Sequence, residues 1–534
     1  MSKVKHSIII GALTSTFGIF LAKLIGLFYV APFSLLATEA NMVYYSNAYT
    51  LYDVILNVSA AGIPFAVSSL IAKYYEEKNY KTVLLINRLS SIILLVSGII
   101  FGIVFALAAK IVAGSILGDD APINDIVYQS RTFIILSLSI MTVPYLTGIR
   151  GLFQGLKELS VYSFTQVLEQ FIRIIFLLGI GYLYVVVFKY DTIYAIYIGV
   201  LSAFVSAFFT IVYLWKSSRK KLREINELAV NQTVDVEEPK FIFKAIMALG
   251  IPYLLAVFFG SASNVINSSM FLPIIEKFTE VNYEDAKLML GIVQFNALKL
   301  VTIPQVLALG FSASIVPYIT ISLAKKDYST LKENIIDIYE IILYITFYLS
   351  LMLFVFARPI YSLMYGNTNL DLGSDVLMTS SILAFVGTIA PVSSTILMTA
   401  KLKNQVVYYL IITTIIKLIT FIPLVIYFSY QGMIISTVIA SGIYVLLCLY
   451  SLRKKYHIRY QELMKKIIGM LVSLIITYFT IAILSNFIKF DYDSKMMIII
   501  VLAIYGVISL LVYLLVSSYF KIPQEIYRKA NITK

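Results

Sequence analysis

The sequence is poor in the residues that build crosslinked folds and soluble active sites. Its single cysteine, Cys448, excludes an internal disulfide bond. Its two histidines, His6 and His457, lie in polar segments, which excludes zinc chemistry, catalytic triads and intramembrane proton relays based on histidine. The glycine-rich residues 151–155 lack the Gly-Lys-Ser/Thr ending of a nucleotide-binding loop. The sequence therefore predicts no metal site, no bound cofactor and no enzymatic chemistry.

Charged residues are scarce as well, at 13% of 534 residues, whereas hydrophobic residues make up 60%. A soluble domain contains about 45–50% apolar and about 25% charged residues. A chain this apolar cannot cover its surface with polar groups in water, so its solvent is lipid. No segment alternates polar and apolar residues with a period of two, which argues against a transmembrane β-barrel. The predicted fold class is an all-α polytopic membrane protein.

Fourteen mainly apolar segments are long enough for a spanning helix, which needs about 17–25 residues. These predicted spans are residues 8–31, 50–71, 89–112, 132–150, 160–185, 193–215, 245–272, 291–323, 336–357, 376–400, 405–428, 432–452, 467–488 and 496–518. The uncharged run through residues 418–452 is too long for one helix. Ser429-Tyr430-Gln431-Gly432 predicts the turn that divides it.

The distribution of charge predicts the orientation in the membrane. Most Lys and Arg residues lie in the termini and the even-numbered loops, whereas the odd-numbered loops are rich in Asp and Glu. By the positive-inside rule, both termini are expected on the cytoplasmic side of the membrane. The net charge of +13 is thus a topology signal, and no nucleic-acid partner is predicted.

The chain contains an internal repeat. The segment KNYKT at Lys78–Thr82 recurs as KDYST at Lys326–Thr330, and a similar spacing relates Arg173 to Lys417. Six spans per repeat is an even number, which predicts two parallel repeats around a central cavity. The predicted domains are the lobes 1–215 and 241–452, the cytoplasmic linker 216–240, helices 13 and 14 in 453–520, and a cytoplasmic tail at 521–534.

Charged residues within the predicted spans are candidates for function, because a charge at the bilayer centre costs about 2.5–3.5 kcal/mol. Lys23 and Lys299 come from opposite halves and predict a cationic wall in a water-filled cavity, with snorkelling to the interface as the alternative. Arg173 and Lys417 lie deeper, at equivalent repeat positions. Glu169 precedes Arg173 by four residues, which favours a local ion pair.

Four further polar residues complete the list of candidates. Asp53 and Glu340 lie near helix ends and are expected at the interface. Asn264 and Asn267 belong to a polar stripe in span 7, which helix–helix hydrogen bonds explain as well as a ligand does.

Several segments resemble one known family. They are AKLIGLFYVAPF at 22–33, AAGIPFAVSSLIAKYYEEKNYKT at 60–82, RGLFQGLKELSVYSFTQVLEQFIR at 150–173, KLVTIPQVLALGFSASIVPYI at 299–319 and ARPIYSLMYG at 357–366. They are similar to the multidrug/oligosaccharidyl-lipid/polysaccharide (MOP) exporter superfamily. Within it they resemble the MurJ-type lipid II flippases and the stage V sporulation protein B-like polysaccharide-export proteins.

This resemblance implies a flippase with a MATE-like fold in a bacterial cell membrane. It would move an undecaprenyl-diphosphate-linked cell-envelope precursor, lipid II or a lipid-linked oligosaccharide, to the outer leaflet by alternating access. Lys23 and Lys299 match the cavity cations of helices 1 and 8 and would bind the diphosphate. Helices 13 and 14 would form a groove for the lipid tail. The resemblance leaves open whether a monovalent ion, Na⁺ or H⁺, is coupled to transport. It also leaves open whether cell-wall synthesis proteins are partners.

Two other classes of function are alternatives to a flippase. A multidrug/cation antiporter of the same fold needs unpaired acids within its spans, whereas the predicted spans carry more cations than acids. A scaffold for envelope assembly that transports nothing would not explain why charged residues lie deep within the predicted spans.

Single-cysteine labelling tests the predicted topology. With Cys448 replaced, cysteines are introduced at Asp120, Asn231, Asp371 and Asn531 and treated with an impermeant thiol reagent on intact cells. Only the first and third should react, because they lie in odd-numbered loops. Labelling at 231 but not at 120 would invert the topology.

Overall fold

The computed structural model describes residues 29–60, 62–305, 319, 322–323, 325–487, 490, 492 and 494–526. Its α-helices are α1 (Val30–Ala37), α2 (Met42–Ala60), α3 (Gly62–Glu76), α4 (Tyr80–Leu117), α5 (Ile123–Gly155), α6 (Leu159–Tyr182), α7 (Ile193–Val230), α8 (Pro239–Phe278), α9 (Tyr283–Gly291), α10 (Tyr328–Val355), α11 (Ala357–Tyr365), α12 (Leu370–Thr399), α13 (Lys403–Tyr456), α14 (Gln461–Leu484) and α15 (Lys495–Tyr519). Two π-helical turns, Leu183–Val187 and Ile292–Ala297, follow α6 and α9. The described residues contain no β-strand, so the predicted fold class is confirmed.

Ten helices among the described residues are long and apolar enough to cross a membrane. The total of fourteen spans stays a prediction. Several helices are longer than the predicted spans, because polar turns continue the helix beyond the apolar stretch. Helix α7, for example, continues to Val230 and so includes the first part of the predicted linker 216–240.

The predicted turn between spans 11 and 12 is present as a sharp break within α13. Ser429 has φ 50° and ψ −128°, which no helical residue adopts. Three residues later, a Cβ on Gly432 would overlap the carbonyl group of Leu424. The chain can therefore reverse here only because residue 432 has no side chain.

The repeated sequence motif has the same local structure in both halves. Asn79 accepts a hydrogen bond from the backbone N–H of Thr82 at 3.2 Å and caps α4. Asp327 does the same for α10 with Thr330, at 3.1 Å. Hydrogen bonds from Thr330 and Ser329 lower the pKa of the Asp327 carboxyl to about 2. The repeat thus marks two equivalent helix starts.

The described residues up to Gly291 form one compact unit, and those from Ile292 form a second. This boundary follows α9, whereas the sequence repeat places the lobe boundary in residues 216–240. Helix α8 packs within the first unit, where Ser268 Oγ donates a hydrogen bond to Thr50 Oγ1 of α2 at 3.3 Å. The division into two six-helix lobes stays a prediction.

Helices α14 and α15 pack on α10 in the second unit. Tyrosine hydroxyls of α10 meet serines of α15, with Tyr344 at 2.8 Å from Ser517 and Tyr348 at 3.0 Å from Ser509. Tyr513 stacks on Tyr344, with ring centroids 4.9 Å apart. Apolar helices surrounded by lipid have no hydrophobic force that drives them together, so polar contacts such as these contribute to their association.

The Arg-Gly-x-x-Gln-Gly motif of residues 150–155 is a helix-packing surface. A Cβ on Gly151 would lie 3.1 Å from the carbonyl oxygen of Pro64. A Cβ on Gly155 would lie 2.8 Å from both the carbonyl oxygen of Ser68 and Cβ of Ile71. Glycines spaced four apart therefore let α5 approach the backbone of α3 closely.

Replacing Gly155 with alanine should destabilise the protein by about 1–3 kcal/mol, since the backbone of α3 cannot move away freely. Gly179 of α6 is the matched control, because a Cβ there meets nothing within 4 Å. Thermal unfolding in detergent measures both variants. Equal unfolding temperatures for Gly155→Ala and Gly179→Ala would contradict this packing role.

Candidate functional site

Lys299 follows a π-helical turn, which decides the direction of its side chain. Helix α9 passes at Gly291 into the π turn Ile292–Ala297, and helix resumes up to residue 305. A π turn inserts one residue into the helical repeat. Residues after it are rotated by about 100° from where an uninterrupted α-helix would place them. Because π turns are rare and concentrate at functional sites, this turn supports Lys299 as a candidate.

Buried hydrogen bonds in the second unit hold the π turn in place. The Asn296 side-chain amide donates to the Tyr361 hydroxyl at 2.9 Å. The Tyr365 hydroxyl donates to the Asn296 carbonyl oxygen at 3.1 Å. Both tyrosines belong to α11, and all residues of the turn are buried. Helix α11 therefore fixes the turn that precedes Lys299.

The Lys299 side chain is half-buried and carries a free charge. Its ammonium lies 5.9 Å from the ring centroid of Phe295. It forms no ion pair or hydrogen bond with the residues that the structure describes. This is the chemistry required of a cation that binds an anionic ligand. Lys23, its predicted counterpart, lies outside the described residues.

Arg173 and Glu169 belong to a buried network that sequence reasoning found only in part. Glu169 pairs with Arg173 at 2.9 Å, as the spacing of four residues suggested, and also with Arg150 of α5 at 2.8 Å. Arg150 further donates to the Thr165 carbonyl oxygen at 2.8 Å. One carboxylate thus balances two guanidinium groups, and the cluster keeps one net positive charge. Arg150 was missed because the sequence places it at a span end.

Lys417 is fully buried and bound to neutral oxygens. Its ammonium donates to the Met433 carbonyl oxygen at 3.1 Å, Ser436 Oγ at 2.8 Å and Thr437 Oγ1 at 2.6 Å. The Phe421 ring centroid lies 4.9 Å away. An ammonium has three N–H donors, and each has an acceptor here. Lys417 therefore joins the two segments of α13 on either side of the break at Ser429.

The remaining candidates take separate places. Asp53 and Asn264 are exposed, whereas Asn267 is buried and its Oδ1 has no hydrogen-bond partner in the described part of the chain. Glu340 was expected at the interface, but it is fully buried and accepts two 2.8 Å hydrogen bonds from Lys466 of α14. Helix α14 supplies this partner from a distant part of the sequence. The position of Glu340 near the membrane interface stays a prediction.

A buried ion pair in the first unit was not predicted. Lys287 of α9 lies 2.5 Å from Asp125 in the first turn of α5, and the Tyr283 hydroxyl donates to the same carboxylate at 3.1 Å. The Tyr44 ring centroid is 4.9 Å from the Lys287 ammonium. Both charges lie in predicted loops, so sequence gave no signal beyond their opposite sign. This pair anchors α9 within the first unit.

In the described part of the chain, many apolar helices with paired internal charges and a Lys299 ammonium without an ion pair are features of a multi-spanning membrane transporter. No cluster of metal ligands occurs among the described residues. The model of the family described as "Polysaccharide biosynthesis protein" matches residues 9–323, more than half of the chain. The protein belongs to this family, and the resemblance found in the sequence is confirmed.

Relatives and solved structures agree with this assignment. The chain is 27% identical over 517 residues to the lipid II flippase MurJ of Bacillus subtilis (strain 168). The aligned region covers 94% of each chain. A structure of lipid II flippase MurJ in an inward closed conformation matches with a TM-score of 0.67 at 17% identity, over 95% of this chain and 98% of that one. An inward-facing MATE family transporter of the MOP superfamily matches with a TM-score of 0.66 at 14% identity, over 82% and 94%. The structural matches confirm a MATE-like fold.

Replacing Glu169 with glutamine should destabilise the protein by about 3–5 kcal/mol, because two buried guanidinium groups lose their only carboxylate in the network. Glu76→Gln is the control, since it breaks the exposed pair with Lys157 and should cost at most about 1 kcal/mol. Thermal unfolding and the yield of folded protein report both effects. If Glu169→Gln were as mild as Glu76→Gln, the network would not stabilise the fold.

Proposed function

We propose that the protein is a flippase without covalent chemistry. It moves an undecaprenyl-diphosphate-linked cell-envelope precursor, lipid II or a lipid-linked oligosaccharide, from the cytoplasmic to the outer leaflet by alternating access. The observation that carries this proposal is the likeness to a lipid II flippase over 94% of both chains. A monovalent coupling ion and contact with cell-wall synthesis proteins are compatible with it.

In this proposal Lys299 binds the diphosphate. Its ammonium is a compact charge on a flexible stem, so it can follow a moving headgroup better than a guanidinium fixed in a fork. It is half-buried, where a charge interaction is stronger than in bulk water. Lys23 is proposed as the second ligand on the basis of sequence alone.

The buried acids argue against the alternative, a multidrug/cation antiporter. Such a protein needs a carboxylate that is free to exchange Na⁺ or H⁺ for a cationic drug. Glu169 is held between two arginines, and Glu340 is held by Lys466. Neither is available to a cation without first breaking an ion pair. The MATE-like fold by itself does not distinguish the two functions.

The membrane potential can drive the proposed transport. A diphosphate carries about two negative charges, and each gains about 2.3 kcal/mol per 100 mV on leaving an inside-negative compartment. The total of about 4–5 kcal/mol biases export more than a thousandfold without ATP. A cationic drug moves against the same potential and needs ion exchange.

Purified protein in proteoliposomes with an imposed potential and no ATP tests the proposal. Lipid II or a related lipid-linked diphosphate should move to the leaflet on the positive side, and dissipating the potential should stop it. Lys299→Gln should slow transport at least about tenfold, since a hydrogen bond between charged groups contributes about 1.5–3 kcal/mol. Lys299→Arg should keep partial activity because it keeps the charge.

Lys277→Gln is the matched control, because Lys277 is an exposed lysine of α8 and should not affect transport. Unchanged transport in Lys299→Gln and Lys23→Gln would show that these lysines only snorkel to the interface. Movement of cationic dyes without lipid movement would favour the antiporter.

A further inference from the structure

A cavity of about 430 Å³ lies at the loop that joins α12 to α13. It is lined by Lys401, Leu402, Lys403, Asn404, Gln405 and Tyr408. The lining thus presents two ammonium groups, two amides and a phenol, and it contains no carboxylate. Its volume falls in the range of small-ligand pockets, about 300–1,000 Å³. The loop lies on the side of the membrane that the charge distribution predicts to be cytoplasmic.

A third lysine adds positive charge behind this cavity. The Lys455 ammonium donates to the carbonyl oxygens of Ala400 at 3.1 Å and Lys401 at 3.2 Å. Burial, together with the positive charge of Lys401, lowers the pKa of Lys455. No acid pairs with Lys401, Lys403 or Lys455 among the residues that the structure describes. A group of like charges without a carboxylate favours an external anion.

The equivalent loop of the first half has acidic residues that pair with nearby lysines. It joins α5 to α6, and its Lys157 has φ 63°, close to the 58° of Lys401. Lys157 pairs with Glu76, and Glu158 accepts a 2.6 Å contact from Lys221. Leu402 stands at the position equivalent to Glu158, at the N-cap of the following helix. One loop is neutralised by nearby acids, and the other has no acidic partner among the described residues.

We propose that this cavity binds the phosphate of an anionic glycerophospholipid from the adjacent leaflet. Basic residues next to a membrane helix on the cytoplasmic side attract such headgroups. Tyr408 is 62% exposed beside the lysines, and an amphipathic ring of this kind sits at the lipid headgroup level. The bound lipid would hold the α12–α13 loop in place. In the first half, the ion pair between Glu158 and Lys221 holds the equivalent α5–α6 loop. This proposal does not depend on the transported substrate.

Native mass spectrometry of the delipidated full-length protein in mild detergent tests the proposal. Phosphatidylglycerol and phosphatidylcholine are titrated separately. Lys401→Gln/Lys403→Gln should weaken phosphatidylglycerol binding about 25-fold, because each lysine near an anionic headgroup contributes about a factor of five. Lys325→Gln/Lys326→Gln removes the same charge from exposed lysines in another predicted cytoplasmic loop and should leave binding unchanged.

Lys401→Arg/Lys403→Arg keeps the charge, so retained binding in this variant supports the site even if the glutamine variant folds poorly. Equal affinity of wild type and a folded glutamine variant would overturn the proposal, as would an equal loss in the Lys325/Lys326 control. Phosphatidylcholine binding as tightly as phosphatidylglycerol would show an apolar site. Competition by inorganic phosphate or a soluble diphosphate at equal concentration would show a free-anion or substrate site instead.

Discussion

The energetic cost of a charge in an apolar bilayer is the constraint on which this structure depends. An uncompensated charge at the centre costs about 2.5–3.5 kcal/mol on insertion scales, so each internal charge needs a partner or a polar cavity. The described structure meets this need by pairing helices through their charges. Glu169 joins α5 and α6, and Glu340 joins α10 and α14. The same interactions that compensate the charges therefore hold the helices together.

Equivalent positions in the two repeats compensate their buried charges in different ways. Arg173 is compensated by a carboxylate one helical turn away, whereas Lys417 uses neutral oxygens beyond the break in α13. The interhelical loops differ in the same way, because Lys157 has an acidic partner and Lys401 has none in the described residues. At this loop the second half keeps positive charge that the first half neutralises.

Lys299 is the exception that connects the fold to the proposed function. It is half-buried after a π turn fixed by α11, and its ammonium meets only an aromatic ring among the described residues. A free cation is costly unless a counter-charge arrives, and a diphosphate headgroup supplies one. Membership of the family and the likeness to a lipid II flippase over 94% of both chains support the proposal that this counter-charge is a diphosphate headgroup.

The sequence by itself determined the helical membrane class, the break at Ser429, the Glu169–Arg173 pair and the family, because hydropathy, turn residues and helical spacing are local properties. Tertiary structure decided where the other charges go. Arg150, Lys466 and Lys287 meet acids far away along the chain, and a π turn sets the face of Lys299. A single sequence does not encode these contacts visibly, because they depend on which helices are neighbours and on how each is rotated.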